Sequence, residues 1–86
     1  MKVYIPTPLR SYTNKKNTVE AEGASVAELF ADLNRQFPGI RFRVINEQDQ
    51  IREHVKIFVN QKLASALSFP LQRGDAVQIV MAISGG

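Results

Sequence analysis

The chain has 86 residues, a net charge of +3, one histidine and no cysteine. A length of this order makes one small domain with a modest core, which favours a carrier, an adaptor or a subunit over an enzyme with its own enclosed active site. The lack of cysteine excludes disulfides, thiolate-rich metal sites and any mechanism on the chain's own thiol, and lone His54 excludes a two-histidine zinc site within one chain.

The opening Met1-Lys2-Val3-Tyr4-Ile5-Pro6 carries one positive charge and an apolar stretch too short for a signal peptide. No apolar run approaches the roughly 20 residues that span a bilayer. These features predict a cytoplasmic chain with no membrane partner. Val3, Tyr4 and Ile5 predict a short strand closed by Pro6 and Pro8, and Asn14 to Asn17 is turn-like. Thr18-Val19-Glu20-Ala21-Glu22 alternates polar and apolar residues, the period of a half-buried strand, and Gly23 ends it. The two runs lie close enough to form a hairpin.

Ser25 opens a helix, with Glu28 three residues on to complete a capping box. Val26, Leu29, Phe30, Leu33 and Phe37 recur at helical spacing and form one apolar stripe, which reads as core. Pro38-Gly39 stops the helix. Ile40 to Asp49 is ambiguous: Phe42, Val44 and Ile45 suit a short helical turn over the end of the core. Val55, Ile57 and Val59 alternate with Lys56 and Phe58 in a further strand, followed by a turn at Asn60-Gln61-Lys62. Leu63 to Phe69 is apolar without clear period and leaves room for a short strand. Gln72-Arg73-Gly74-Asp75 is a tight turn, and Val77, Ile79 and Met81 mark the last strand.

One helix covers one face of such a sheet, giving an α+β layer pair. Two strands on either side of the helix pair in parallel through the crossover that the helix supplies. The expected architecture is a β-grasp: a mixed four- to five-stranded sheet with one main helix on one face. Residues 1–82 form the domain and residues 83–86 a flexible tail.

The chemistry is expected at that tail. Gly85-Gly86 has no Cβ and can enter slots that a side chain would block. A carboxylate is a poor electrophile and needs activation. Transfer of AMP from ATP gives a mixed anhydride, and a sulfur nucleophile replaces AMP to leave a thiocarboxylate. The sequence has no phosphate-binding loop to do this itself, so a separate activating enzyme is required. Other candidates are weaker. Glu20, Glu22, Glu28 and Asp32 read as a solvated face, His54 as a surface residue, and Asp75 as a turn former. The densest basic group, Arg35, Arg41 and Arg43, straddles Pro38-Gly39 with no aromatic stacking set beside it, so no nucleic-acid partner is expected.

Essentially the whole chain resembles the ThiS/MoaD family of ubiquitin-like sulfur-carrier proteins. The resemblance rests on Ile5-Pro6-Thr7-Pro8-Leu9-Arg10, Ser25-Val26-Ala27-Glu28-Leu29, Phe37-Pro38-Gly39, Val55-Lys56-Ile57-Phe58-Val59-Asn60, Gly74-Asp75-Ala76-Val77 and Gly85-Gly86. The first of these is most like the CysO-type branch, whose members supply sulfide for cysteine synthesis. Ile83-Ser84 departs from the small residues usual before the glycines. The resemblance implies adenylation and thiocarboxylation at Gly86, with Gly85, Ser84 and Ile83 threading into partner sites. It implies an E1-like adenylating enzyme that uses ATP, a sulfur-accepting enzyme of cysteine synthase-like or equivalent type, no bound cofactor or metal, and a chain that is monomeric alone. Cysteine-type and siderophore pathways both suit it. A ubiquitin-like modifier conjugated through Gly86, the small subunit of molybdopterin synthase, and a β-grasp RNA-binding module remain as alternatives.

Strand alternation also divides the sheet into two faces. Val3, Ile5, Val55, Ile57, Val59, Val77, Ile79 and Met81 are expected to face the helix. Tyr4, Phe58 and Val80, with Lys2, Lys56 and Gln78 around them, are then left on an uncovered face. Such a patch marks a protein contact, and Tyr4, Phe58, Val80 and Lys56 are the expected partner-docking residues.

Overall fold

The computed structural model describes residues 1–82. Strand β1 (Lys2–Tyr4) leads through a 3₁₀ turn at Thr7–Leu9 to β2 (Thr18–Glu20). Helices α1 (Val26–Gln36) and α2 (Ile40–Val44) follow, then β3 (Val55–Val59), β4 (Lys62–Leu63) and β5 (Ala76–Met81). The strands form a five-stranded sheet in the order β2-β1-β5-β3-β4. Central β1 and β5 run parallel, and the other pairs are antiparallel. This is the mixed sheet with one main helix that the strand and helix order predicts.

The hairpin of β1 and β2 is extended beyond the strands by Ile5 N–H to Asn17 O at 2.8 Å and Ala21 N–H to Met1 O at 3.1 Å. Alternation places Val3, Ile5, Val55, Ile57, Val59, Val77 and Ile79 in the core, all buried, against Val26, Leu29, Phe30 and Leu33 of α1. Met81, expected with them, is partly buried at the edge of that core.

The start of α1 departs from the expected capping box in one detail. Ser25 Oγ accepts from Glu28 N–H at 3.2 Å, but Glu28 Oε1 reaches back to Ala24 N–H at 3.1 Å instead of to Ser25. The next free N–H groups of the helix are taken by the chain before β5: Val26 N–H donates to Phe69 O and Ala27 N–H to Leu67 O. The apolar segment Leu63 to Phe69 therefore contributes a strand at its first residue alone, paired as Lys62–Leu63. Its remainder is committed to the helix end, where Leu67 and Phe69 pack on the core.

Pro38-Gly39 ends α1 as expected, with Gly39 at φ +99°. Asn34 Oδ1 then accepts from Gly39 and Arg41 N–H groups, which starts α2 at once. In α2 the buried residues are Ile40 and Val44, one helical repeat apart, with Ile45 just after. Phe42 lies about 200° around the helix from Ile40 at roughly 100° per residue, so it points outward and is 53% exposed. The expected helical turn is present, but Phe42 does not join the core.

Candidate functional site

The uncovered face of the sheet is built by register. Tyr4 of β1 lies opposite Gln78 of β5, Gln78 opposite Phe58 of β3, and Phe58 opposite Leu63 of β4. In the same face Val80 lies opposite Lys56. Directly opposed residues have Cβ atoms about 5 Å apart, so these side chains form one continuous row. Tyr4 is 42% exposed, Val80 38% and Leu63 51%. Phe58 is half-buried by its neighbours and Lys56 is exposed. Lys2 Nζ stands 5.9 Å from the centroid of the Tyr4 ring, a distance at which a cation gains from the ring face.

Leu63 belongs to this patch and sequence reasoning missed it. The signal was the two-residue turn before it. Asn60 and Gln61 both have positive φ, +49° and +73°, as a type I′ hairpin turn requires, and such a turn fixes Leu63 opposite Phe58. Asn60 also joins the next turn: its Nδ2 donates to Asp75 Oδ1 at 2.8 Å and its Oδ1 accepts from Ala76 N–H at 3.0 Å. Asp75 Oδ2 accepts from Gln72 N–H, and this bond, followed by that from Asn60, lowers the Asp75 pKa. Asp75 shapes a turn, as expected.

Because β1 and β5 are parallel, their C-terminal ends meet at one end of the sheet. A shallow groove of about 490 Å³ lies there, lined by Tyr4, Pro6, Arg10, Val80 and Met81 among others. Arg10 is fixed beside it by Nε donating to Ile5 O at 3.0 Å. On the other side, Ala82 N–H donates to His54 O at 2.8 Å, which continues the pairing of β5 with β3 to the last described residue. Ile83, Ser84, Gly85 and Gly86, the expected tail and the expected site of chemistry, lie outside the described residues.

The acidic residues do not form an acid–base pair. The Asp32 carboxylate accepts from Glu22 N–H at 3.0 Å, pairs with Arg35 and accepts from Gln36 Nε2. Its pKa is lowered, first by the Glu22 backbone bond and then by Arg35. Asp32 thus clasps the chain after β2 onto α1. Glu22 pairs with the Met1 ammonium at 2.9 Å.

The basic group divides in a way the sequence did not suggest. Arg35 pairs with Asp32, and Arg41 pairs with Asp49 at 3.1 Å. Arg43 instead joins Tyr12, Phe42, Arg52 and His54 around one depression. Phe42, which lies between Arg41 and Arg43 in the sequence, and Tyr12 thus stand beside Arg43 and Arg52, a grouping assembled by α2 and the segment before β3. Among the described residues no group of acidic or histidine side chains suits a metal ion, and no helix is long and apolar enough to cross a membrane.

The profile of the ThiS family matches residues 3–86. The chain belongs to the ThiS family. The sulfur carrier protein CysO of Mycobacterium tuberculosis is 32% identical over 89 aligned residues, covering 98% of this chain and 96% of CysO, and that of Mycobacterium bovis matches to the same extent. The fold is correspondingly similar to solved members. The crystal structure of the Amycolatopsis orientalis BexX/CysO complex contains a chain with a TM-score of 0.91 and 32% identity, covering 99% of this chain and 98% of that one. Mycobacterium tuberculosis CysO gives a TM-score of 0.90 at 29% identity, covering 95% of this chain and 98% of its own. The sheet and helix are therefore the ubiquitin-like β-grasp, and this ThiS-family chain carries its exposed row on the face opposite α1.

Proposed function

We propose that this chain is a sulfur carrier whose Gly86 carboxylate is adenylated, converted to a thiocarboxylate and used as a sulfur donor in biosynthesis. The observation that carries the reading is the family match, which runs through residue 86 and so includes Gly85-Gly86. Full-length similarity to CysO sulfur carriers supports it further. It also favours a cysteine-type pathway and a cysteine synthase-like acceptor.

The carboxylate oxygen of Gly86 attacks the α-phosphorus of ATP on an E1-like partner and expels pyrophosphate. Sulfide or an equivalent sulfur nucleophile then attacks the acyl carbon, and AMP leaves with the C–O electron pair. The thiocarboxylate sulfur forms a C–S bond to an electrophilic carbon held by the acceptor enzyme, and that carbon's leaving group departs with its electron pair, or its π pair moves to the adjacent atom and takes up a proton. Water finally cleaves the acyl–sulfur bond, returning the carboxylate and leaving sulfur on the product. The sequence contains no cysteine to carry sulfur in any other way. The chain is the substrate of these enzymes and not an enzyme itself. Its own part is to present Gly85 and Gly86, with Ser84 and Ile83 behind them, and to dock through Tyr4, Phe58, Val80 and Lys56. The Amycolatopsis orientalis complex of BexX with CysO supports docking of such a carrier on a partner protein.

The test is mass spectrometry after incubation with the adenylating enzyme, ATP and sulfide. The full chain gains the mass difference of one sulfur replacing one oxygen, and a chain lacking Gly86 gains nothing. Equal gain by the truncated chain overturns the reading.

A further inference from the structure

The surface around Ala82 has a second side. There α2 and the segment before β3 surround an open depression of about 500 Å³ lined by Tyr12, Phe42, Arg43, Arg52 and His54, with no carboxylate among them. Phe42 is more than half exposed, which is uncommon for phenylalanine. The Arg52 guanidinium lies over its ring, 4.6 Å from the centroid.

Arg52 is held in three ways. Its Nε donates to Phe42 O at 2.8 Å, its backbone N–H donates to Val44 O at 2.9 Å, and its plane is covered by the ring. Its two terminal nitrogens and the whole Arg43 guanidinium make no hydrogen bond or ion pair to the described residues, Glu53 between Arg52 and His54 included. A guanidinium ordered in advance loses less entropy when it takes a carboxylate, and its free fork matches a carboxylate's two oxygens.

Position selects the occupant. Ala82 is hydrogen-bonded to His54, two residues from Arg52. Four residues span at most about 14 Å, so a pocket that closes on Gly86 brings its rim to within that distance of Ala82. His54, bonded to Ala82, and Arg52 two residues before it lie at that point of the surface. We propose that the Phe42–Arg43–Arg52 patch docks a carboxylate-bearing surface of the enzyme that adenylates Gly86, with Arg52 taking an aspartate or glutamate through its terminal nitrogens. The proposal rests on the sulfur-carrier reading above and adds a second contact to the exposed sheet face. A nucleic acid suits the patch less well. Two unpaired arginines meet few phosphates, and one face of Phe42 is already covered by Arg52.

The experiment measures pyrophosphate release by the E1-like adenylating enzyme of the same organism, with the wild-type chain, Arg43→Glu, Arg52→Gln and, as a control remote from the patch, Arg35→Ala. Arg43 has no hydrogen bond to lose among the described residues, so Arg43→Glu keeps the test valid should Arg52→Gln loosen α2. Each patch variant is expected to raise KM for the carrier about tenfold with kcat within about twofold, while wild-type KM rises more steeply with salt than either variant's. Arg35→Ala behaves as wild type. Normal wild-type turnover with both patch variants within about twofold in KM overturns the patch alone. A wild-type chain that releases no pyrophosphate overturns the carrier reading and the patch with it. Binding of a poly(U) oligonucleotide that is lost in Arg52→Gln, with KM unchanged, assigns the patch to RNA and overturns the proposal.

Discussion

Phe58 and Phe30 occupy opposite sides of the same sheet, and truncating each measures what covers it. Phe30 has no exposure and is the largest fully buried side chain of the described core. Removing a phenylalanine from such a site costs about 3–5 kcal/mol, the sum of lost transfer energy and the cavity left behind. Phe58 is partly buried between Gln78 and Leu63, with no second layer over it among the described residues. Water fills the space that Phe58→Ala opens, so no cavity term arises. The transfer term applies to the covered part of the ring, about two-thirds or more of it, and complete burial is worth about 1.5–3 kcal/mol, leaving roughly 1–2.5 kcal/mol. A domain of this size has about 4–13 kcal/mol in all, at 0.05–0.15 per residue. At about 4–8 °C per kcal/mol, Phe58→Ala should therefore lower the melting temperature clearly less than Phe30→Ala, which loses at least about 12 °C or unfolds. Circular dichroism melts and urea titrations of the two variants side by side provide the comparison. A partner that uses Phe58 as an anchor should bind the variant about 30-fold or more weakly, the equivalent of 2 kcal/mol. If Phe58→Ala proves as destabilising as Phe30→Ala, the face is covered, and the docking argument fails.

Two glycines should respond to alanine for different reasons. A Cβ at Gly23 would sit 2.5 Å from Leu29 N and 2.8 Å from Glu28 C, both helix backbone, so Gly23→Ala must displace α1 and is expected to cost about 3 kcal/mol or more. Gly74 has φ +91° with open space around it, so Gly74→Ala adds conformational strain alone, about 1–2 kcal/mol; urea midpoints in the reverse order would refute this. Acid sensitivity should trace in part to Asp32, whose folded-state pKa lies below its usual 3.8. Its contribution to stability is complete above that usual value and is lost as pH falls through the lower folded one. Stability curves below pH 4 should thus be flatter for Asp32→Asn than for wild type, and parallel curves would exclude the clasp.

Alternation made the sheet legible before any coordinates, because a strand that buries one face must write period two into its sequence. Val55, Ile57 and Val59 are the clearest case, and the sides of Tyr4, Phe58 and Val80 followed from them. What stayed hidden was set by tertiary hydrogen bonds and rotation. The Leu63 to Phe69 segment has no period because most of it serves the free N–H groups at the start of α1, through Leu67 O and Phe69 O. Phe42 reads as core by composition, but the phase of α2 is fixed by Ile40 and Val44 and turns Phe42 outward. Its partnership with Arg52 spans ten residues, from α2 through the turn that follows it, so no local pattern marks it.

The central position of β5 links the fold to the proposed chemistry. An edge strand is held along one side, whereas β5 is held along both, by β1 in parallel and by β3 in antiparallel register. The hold on the β3 side continues to Ala82 through His54 O. Under the proposed function, a pull on Gly86 in a partner's pocket is thus opposed by two ladders of backbone hydrogen bonds, and the ladder to β3 is described as far as Ala82, four residues from Gly86. The parallel pairing also decides what flanks that point. It brings the end of β1, with Pro6 and Arg10 after it, to one side of Met81, while β3 places His54 and the Phe42–Arg52 stack on the other. An antiparallel β1 would carry its opposite end there and leave the groove unformed. The proposed carrier function therefore depends on topology as much as on Gly85-Gly86: a two-glycine end on an edge strand would reach a pocket equally well but would meet it without these two flanking surfaces.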